Sequence, residues 1–252
     1  MIIHSFDNKT EPPMKMEDFY GEQKHITDTC LVLFSWKLHQ YLLETYPCRE
    51  IGAIYAANGK TTIWQLPPEK KGIAFYLSPI GSSSAAQYCM ETNWVIGATN
   101  FVMFGSAGAL DAEKTAGKFV VPTEAYRDEG MSYHYAPPAD YIAIKNHAVL
   151  ADFFRKNGYP FVEGRIWTTD AFMRETVGLI EQRKSEGCLA VEMEAAGAEA
   201  LCDFYGFDLY HFVVTGDVLS SDGYSVDGLT GANHSLGKLH AALAFAETLI
   251  KY

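Results

Sequence analysis

The sequence is short of positive charge. Its 20 Lys and Arg face 31 Asp and Glu, a formal net charge of −11. That balance argues against a nucleic-acid backbone or an anionic membrane as a main partner. It leaves room for a small anion held in a local pocket. Long apolar runs are missing as well: no stretch reaches the roughly 18 residues that would span a bilayer. The first residues, Met1 to Asp7, show no basic segment followed by an apolar core, so no signal peptide is expected. Cysteine is sparse and unpatterned. Cys30, Cys48, Cys89, Cys188 and Cys202 are odd in number and lack C-x-x-C spacing, which fits free, buried thiols in a reducing compartment. Repeats, low-complexity tracts and interdomain linkers are also absent. Together these absences predict a cytoplasmic protein.

What is present is a core-forming chain. It has 252 residues, 48% hydrophobic and 20% charged, enough for one large domain or two small ones. Residues 1–28 are polar, carry Pro12-Pro13 and read as an arm on a surface, its own or a neighbour's. Cys30 to Phe34 is the first buried strand. A helix follows from Trp36 to about Tyr46, with Leu38, Tyr41 and Leu42 on one stripe, and Pro47 ends it. Ile51–Tyr55 and Thr61–Leu66 form a hairpin through Asn58-Gly59. Further strands are expected at Gly72–Leu77, Asn100–Phe104, Lys118–Pro122, Phe161–Trp167 and Asp208–Thr215. Helices are expected from Pro79 to Trp94, Asn146 to Asn157, Arg174 to Lys184, Ala195 to Tyr205 and Leu229 to Tyr252. Ala125 to Tyr135 is too polar and aromatic for an ordinary connector. The alternation predicts an α/β fold: one domain over 29–252, with a mixed, twisted central sheet flanked by helices.

Three strands end in unusual sequences: Gly105-Ser106-Ala107-Gly108, Glu192-Met193-Glu194 and Thr215-Gly216-Asp217. Open α/β sheets place ligands at the carboxyl ends of their strands. A glycine-rich turn lets backbone N–H groups approach an anion or a sugar closely. A carboxylate such as Glu194 offers acceptors to two adjacent hydroxyls, and Asp217 in a suitable pocket can protonate a departing base. For the two glutamates a second account stays open, an acidic first helical turn complementing the helix dipole.

With these motifs the chain resembles the nucleoside phosphorylase superfamily, the purine nucleoside and uridine phosphorylases and related nucleosidases of trimeric and hexameric type. The resemblance spans roughly residues 25–250. Its most specific segment is Val191-Glu192-Met193-Glu194-Ala195-Ala196-Gly197. It implies ribose contacts from Glu194, with Met193, Glu192 and His25, the last reaching a neighbour's site. It implies phosphate contacts from Ser106 and Gly105, and from an Arg49 lent by a neighbour. Phe172 and Met173 fall where relatives place residues against the base, with Asp217 as the group that protonates it. Trp167 to Phe172 and Arg127-Asp128-Glu129-Gly130 also look like segments of bacterial and archaeal members. The implied reaction is cleavage of the N-glycosidic bond of a purine or pyrimidine nucleoside, with phosphate as co-substrate and no cofactor or metal. The implied assembly is a homodimer or hexamer with shared sites.

Departures from the family pattern bear on the nucleophile. Phosphate-using relatives carry a Gly-Asp-Pro turn and an arginine after the first strand; here that stretch is Ser35-Trp36-Lys37-Leu38-His39. A second family arginine corresponds to Met103. Losing two charge-assisted contacts of roughly 1.5–3 kcal/mol each would weaken phosphate binding about a hundredfold to ten-thousandfold. His39, Lys37, Arg49, Ser35 and the Ser82–Ser84 run are the candidates to compensate. Hydrolytic members instead place a glutamate beside the first strand, and Cys30–His39 has none. A nucleoside hydrolase and a non-catalytic nucleoside binder are therefore the alternatives to a phosphorylase.

Overall fold

The fold is described from a computed structural model that covers residues 1–221 and 223–250. Its strands form one mixed sheet. In chain order they are β1 (Thr29–Leu33), β2 (Arg49–Ala56), β3 (Gly59–Gln65), β4 (Ala74–Leu77), β5 (Asn100–Ala109), β6 (Phe119–Asp128), β7 (Tyr141–Ala143), β8 (Phe161–Thr169), β9 (Cys188–Glu192), β10 (Asp208–Ser220) and β11 (Gly223–Ser225). The helices are α1 (Glu17–Tyr20), α2 (Trp36–Thr45), α3 (Ser82–Ile96), α4 (Ala112–Thr115), α5 (Ser132–Tyr135), α6 (His147–Lys156), α7 (Val177–Ser185), α8 (Ala195–Tyr205), α9 (Leu229–Asn233) and α10 (Leu236–Leu249).

Central strands are buried on both faces, and their alternation divides the core. Leu31 and Leu33 of β1, with Val102 and Phe104 of β5, pack against α2, α6 and α10. Cys30 and Val32, with Phe101 and Met103, pack under α3 and α8 on the other face. Each large side chain so buried stabilises the fold by roughly 1.5–3 kcal/mol. Ser35 starts α2 by accepting from Leu38 N at 3.2 Å. Gly206, in the left-handed region at φ 73°, closes α8.

The strand order departs from a simple open sheet. β5 pairs with β10 and β9, β10 with β6, β6 with β8, and β8 with β9, so five strands close into a ring. β1, β4, β3 and β2 extend from β5 as an open wing.

Several expected boundaries move: β10 runs past Thr215 to Ser220, so Asp217 lies within it, and α7 starts at Val177 rather than Arg174. The stretch 105–109 is not a turn: it continues β5, held by parallel pairing to β10 and antiparallel pairing to β9. The polar segment after Pro122 stays in strand as far as Asp128, because β8 pairs with it from Glu124 onward. The final helix is two, α9 and α10, with Ser235 capping the second by accepting from Lys238 N at 3.4 Å. Of residues 1–28, the stretch 20–27 lies on this chain's own α3: Trp94 Nε1 donates to Gly21 O at 2.8 Å, and Ile26 N to Ile96 O at 2.7 Å; Ile2–His4 lies against α5. No described helix is long and apolar enough to cross a membrane.

Candidate active site

β1 pairs with β5 only as far as Phe104, and β9 joins the same edge at Gly108. Between them, residues 105–107 face a fork in the sheet. Side-chain volume collapses there, from Phe104 to Gly-Ser-Ala-Gly, so the interior is left unfilled. A cavity of about 810 Å³ opens at this fork, a size common among small-molecule sites. Gly108 is closely packed. A Cβ there would lie 2.3 Å from Leu219 Cδ1 and 3.5 Å from Asp217 Oδ2.

The β9–α8 junction supplies the cavity's two buried glutamates, and they differ. Glu192 is consumed by local structure. Its Oε2 accepts from Glu194 N and Ala195 N, each at 2.8 Å, and its Oε1 accepts from Thr168 Oγ1 at 2.5 Å. It is the anionic cap of α8, as the helix-dipole account expects. Glu194 points into the cavity. Its Oε1 accepts from Gly81 N at 2.7 Å, with Gly81 at φ 106°, a conformation suited to glycine. Burial pushes both carboxyls above the usual range, and the charge of Glu192 adds to the effect on Glu194. Glu192, with three donors, is the better stabilised of the two in its charged form. His211 beneath them is neutral, because burial lowers its ring to about 4. Its Nδ1–H donates to Met103 O at 3.1 Å.

β10 contributes Asp217. Gly216, just before it, lets α9 pack closely: a Cβ there would fall 2.6 Å from Ala232 Cβ and 3.0 Å from Leu229 Cα. Beside Asp217 stands Glu175, at the end of the 3₁₀ turn Phe172–Arg174. Burial, and then the Asp217 charge, push Glu175 up to about 7. Tyr224 of β11 hydrogen-bonds Asp217 from the rim. Phe172 and Met173 are exposed and border the same cavity.

The turn between α9 and α10 closes another wall. Ser106 Oγ donates to Asn233 Oδ1. Ser35 Oγ and His234 Nδ1 are 2.8 Å apart. Lys238 Nζ is buried and donates to Ala232 O at 2.6 Å.

Of the residues expected at the site, Glu192, Met193, Glu194, Gly105, Ser106, Phe172, Met173 and Asp217 all line this one cavity. Three do not. His39 sets its ring edge-on against Phe75, 5.5 Å between centroids, outside the lining. Arg49 is exposed on β2, donates to Gln65 Oε1 at 2.6 Å and borders a separate pocket. His25 is exposed and packs beside Gly97. Within one chain, neither Arg49 nor His25 reaches the cavity. Met103 is fully buried in the core. Among the described residues no group of three or more His, Cys, Asp or Glu is placed to hold a metal ion.

The model of the phosphorylase superfamily matches residues 37–244, most of the chain. The protein belongs to this superfamily. Among its relatives, a guanosine phosphorylase of Halorubrum lacusprofundi is 34% identical over 125 residues, 48% of this chain and 51% of that one. The match thus spans about half the length of that relative. A DeoD-type purine nucleoside phosphorylase of Alkaliphilus metalliredigens is 26% identical over 81% of this chain and 86% of its own. Among solved structures, a uridine phosphorylase of Vibrio fischeri superposes with TM-score 0.71 at 20% identity, covering 90% of this chain and 96% of that one. A futalosine hydrolase of Helicobacter pylori superposes with TM-score 0.69 at 15% identity, covering 88% and 97%. The superfamily fold therefore carries both phosphorolytic and hydrolytic relatives, and at these identities the structural likeness speaks to fold alone.

Sequence reasoning missed four polar lining residues: Glu175, Asn233, His234 and Lys238. Glu175 gains its meaning from Asp217, 42 positions away. The last three lie where one apolar core helix was expected. A signal was available in Asn233-His234-Ser235, since Ser before a helical run is a cap.

Proposed function

We propose that this protein cleaves the N-glycosidic bond of a nucleoside with phosphate, releasing the free base and (deoxy)ribose 1-phosphate. One observation carries this. A buried glutamate aimed into the cavity, Glu194, shares that cavity with an acidic pair, Asp217 and Glu175. Glu194 and Met193 hold the ribose through its diol. As the glycosidic bond stretches, positive charge builds on the sugar and negative charge on the base. Asp217 protonates the base, and Glu175, which keeps its proton up to about pH 7, serves as the proton reservoir beside it. Ser106 and Gly105 lie on the side of phosphate attack. A second copy of the chain completes the site with His25 and Arg49, and no cofactor is needed.

Hydrolysis is the second reading. It is favoured by the apolar core position of Met103 and by the futalosine hydrolase among the structural neighbours. A panel of purine and pyrimidine nucleosides, with and without phosphate and with both products identified, decides between them. Ribose 1-phosphate formed only in the presence of phosphate is the expected result. Free ribose at the same rate without phosphate would overturn phosphorolysis.

A further inference from the structure

Helix α3 starts without a side-chain cap, so tertiary contacts must fix its first turn in place. Two contacts with the start of α8 do so, and both fall next to Glu194. Gly81 N, at the head of α3, donates to Glu194 Oε1 at 2.7 Å. One residue on, Ser82 is fully buried against Gly197, the third residue of α8. Glycine inside a helix is unfavourable, and one at this place asks for a packing reason. The crossing of the two helices supplies it. A Cβ on Gly197 would lie 2.8 Å from Ser82 Cβ, 3.0 Å from Ser82 Oγ and 3.1 Å from Met131 Cβ. Ser82 meets this surface by shape and not by bonding, since its Oγ is buried with no hydrogen-bond partner among the described residues. Small side chains share the core beneath the crossing: Ala85, Ala86 and Cys89 of α3, Ala198 and Cys202 of α8.

Glu194 is thus steered from outside its own strand. The backbone N–H groups of the β9–α8 junction go to Glu192. The hydrogen bond that Glu194 Oε1 accepts comes from Gly81, and Gly81 is held in place one residue later by Ser82 on Gly197. We propose that Gly197 and Ser82 are positioning residues: the bare surface of Gly197 seats α3 at the distance that brings the Gly81 N–H to Glu194 Oε1 and keeps Glu194 aimed into the cavity. Neither residue lines the cavity, so both act through Glu194. A methyl added at Gly197 forces the first turn of α3 away, because its nearest neighbour, Ser82 Cβ, is fixed to the backbone and cannot swing aside. Gly81 N moves with that turn. Misplacing a binding group by about 1 Å costs up to roughly a hundredfold in rate. That the ligand of Glu194 is a ribose diol rests on the proposed function; that Gly197 places the Gly81 donor does not.

Two readouts test this, one of them independent of turnover. Steady-state kinetics compares a ribonucleoside with its 2′-deoxy counterpart, which offers Glu194 a single hydroxyl. Carbon-13 NMR follows the titration of the Glu194 carboxyl, assigned by its loss in Glu194→Gln. In the wild-type fold the Gly81 N–H lowers the pKa of this carboxyl, against burial and the charge of Glu192, which raise it; His211 beneath is neutral. Gly197→Ala is expected to lower kcat/KM for the ribonucleoside about tenfold to hundredfold and for the deoxynucleoside by less, so the ratio between them falls. It is also expected to move the Glu194 titration upward. Ser82→Gly in the same chain removes the two nearest atoms and is expected to restore most of the ratio and the titration. Ser82→Ala keeps the Cβ at 2.8 Å and is expected to restore neither. A chain that is merely destabilised loses both substrates alike and does not tell the two second-site changes apart. Circular dichroism confirms folding. If Gly197→Ala does not fold, Gly197→Ala with Ser82→Gly is read against wild type, and a lost ratio or a shifted titration there overturns the proposal. So does a wild-type titration in folded Gly197→Ala. A titration that shifts and is rescued, in a protein that cleaves no nucleoside, leaves the positioning role standing and removes the proposed function. The same titration with both nucleosides weakened equally leaves it standing and takes the diol away from Glu194.

Discussion

Glu192 and Glu194 sit two residues apart at the end of the same buried strand, yet they do opposite work. Glu192 spends both carboxylate oxygens on three donors, two of them backbone N–H groups at the start of α8. Glu194 takes one donor, the N–H of Gly81, from an element more than 100 positions away, and turns toward the cavity. Residue type, burial and sequence context are nearly the same. The supply of local donors separates them. A glutamate whose acceptors are filled by the backbone is part of the scaffold; one left with spare acceptors in a cavity is free to meet a ligand.

The sharpest way to break this contrast is to remove Glu194. Glu194→Ala is expected to lower kcat/KM by at least about a hundredfold, the loss of a bidentate contact to two hydroxyls, with little loss of thermal stability. Steady-state kinetics beside a melting curve checks both halves. A variant with wild-type kcat/KM on every nucleoside that the enzyme cleaves would remove Glu194 from the site.

Glu192→Ala is expected to show the other signature. Stripping the cap and leaving buried donors unpaired costs about 2 kcal/mol, or roughly 4–8 °C in Tm for a chain of this size. Differential scanning calorimetry reads this directly, and an unchanged Tm would mean that α8 does not depend on its cap.

A smaller effect concerns the acidic pair, Asp217 and Glu175. Glu175 holds its proton up to about pH 7, so activity that uses this proton falls as pH rises through 7. Glu175→Gln is expected to remove that alkaline limb from the kcat/KM profile and to lower the maximum roughly tenfold. A limb that persists unchanged in the variant would assign it to another group.

The smallest effect is a pH trend in stability. Burial raises the Glu194 carboxyl in the folded state above its unfolded value. The folded chain therefore holds an extra proton, and the associated stability is fully present below about pH 4.5, then lost as pH rises through the folded pKa. Glu194→Gln cannot ionise. Its Tm relative to wild type is expected to climb by a few degrees between pH 5 and pH 8, and a difference that stays flat over this range would place the raised pKa elsewhere.

Much of the molecule is legible in its amino-acid order. The strand–helix alternation, the hairpin at Asn58-Gly59, the cap at Gly206 and the junction Val191–Gly197 all follow from local pattern. What is not legible depends on partners distant in the chain. Gly105–Gly108 has the composition of a turn and becomes a strand because β10 and β9 pair with it. Asp128 ends a strand rather than a loop because β8 runs beside it. Glu175 looks like a surface residue until Asp217 is placed next to it. Lys238 looks like an exposed helix position until α9 folds back over Gly216 and buries it.

The sequence by itself determined the α/β alternation, the two-sided burial of the central strands and the kinds of residue at three strand ends. These follow from hydrophobic period and side-chain size, which act over a few residues. Tertiary structure alone decided that five strands close into a ring and that the sheet forks at residues 105–107. It also decided which of two neighbouring glutamates keeps spare acceptors, and that Lys238 is buried against the turn between α9 and α10. Each is a matter of which donors, charges and backbone edges meet across long stretches of chain. Such meetings are set by the packing of the whole fold, and no local window of residues contains them.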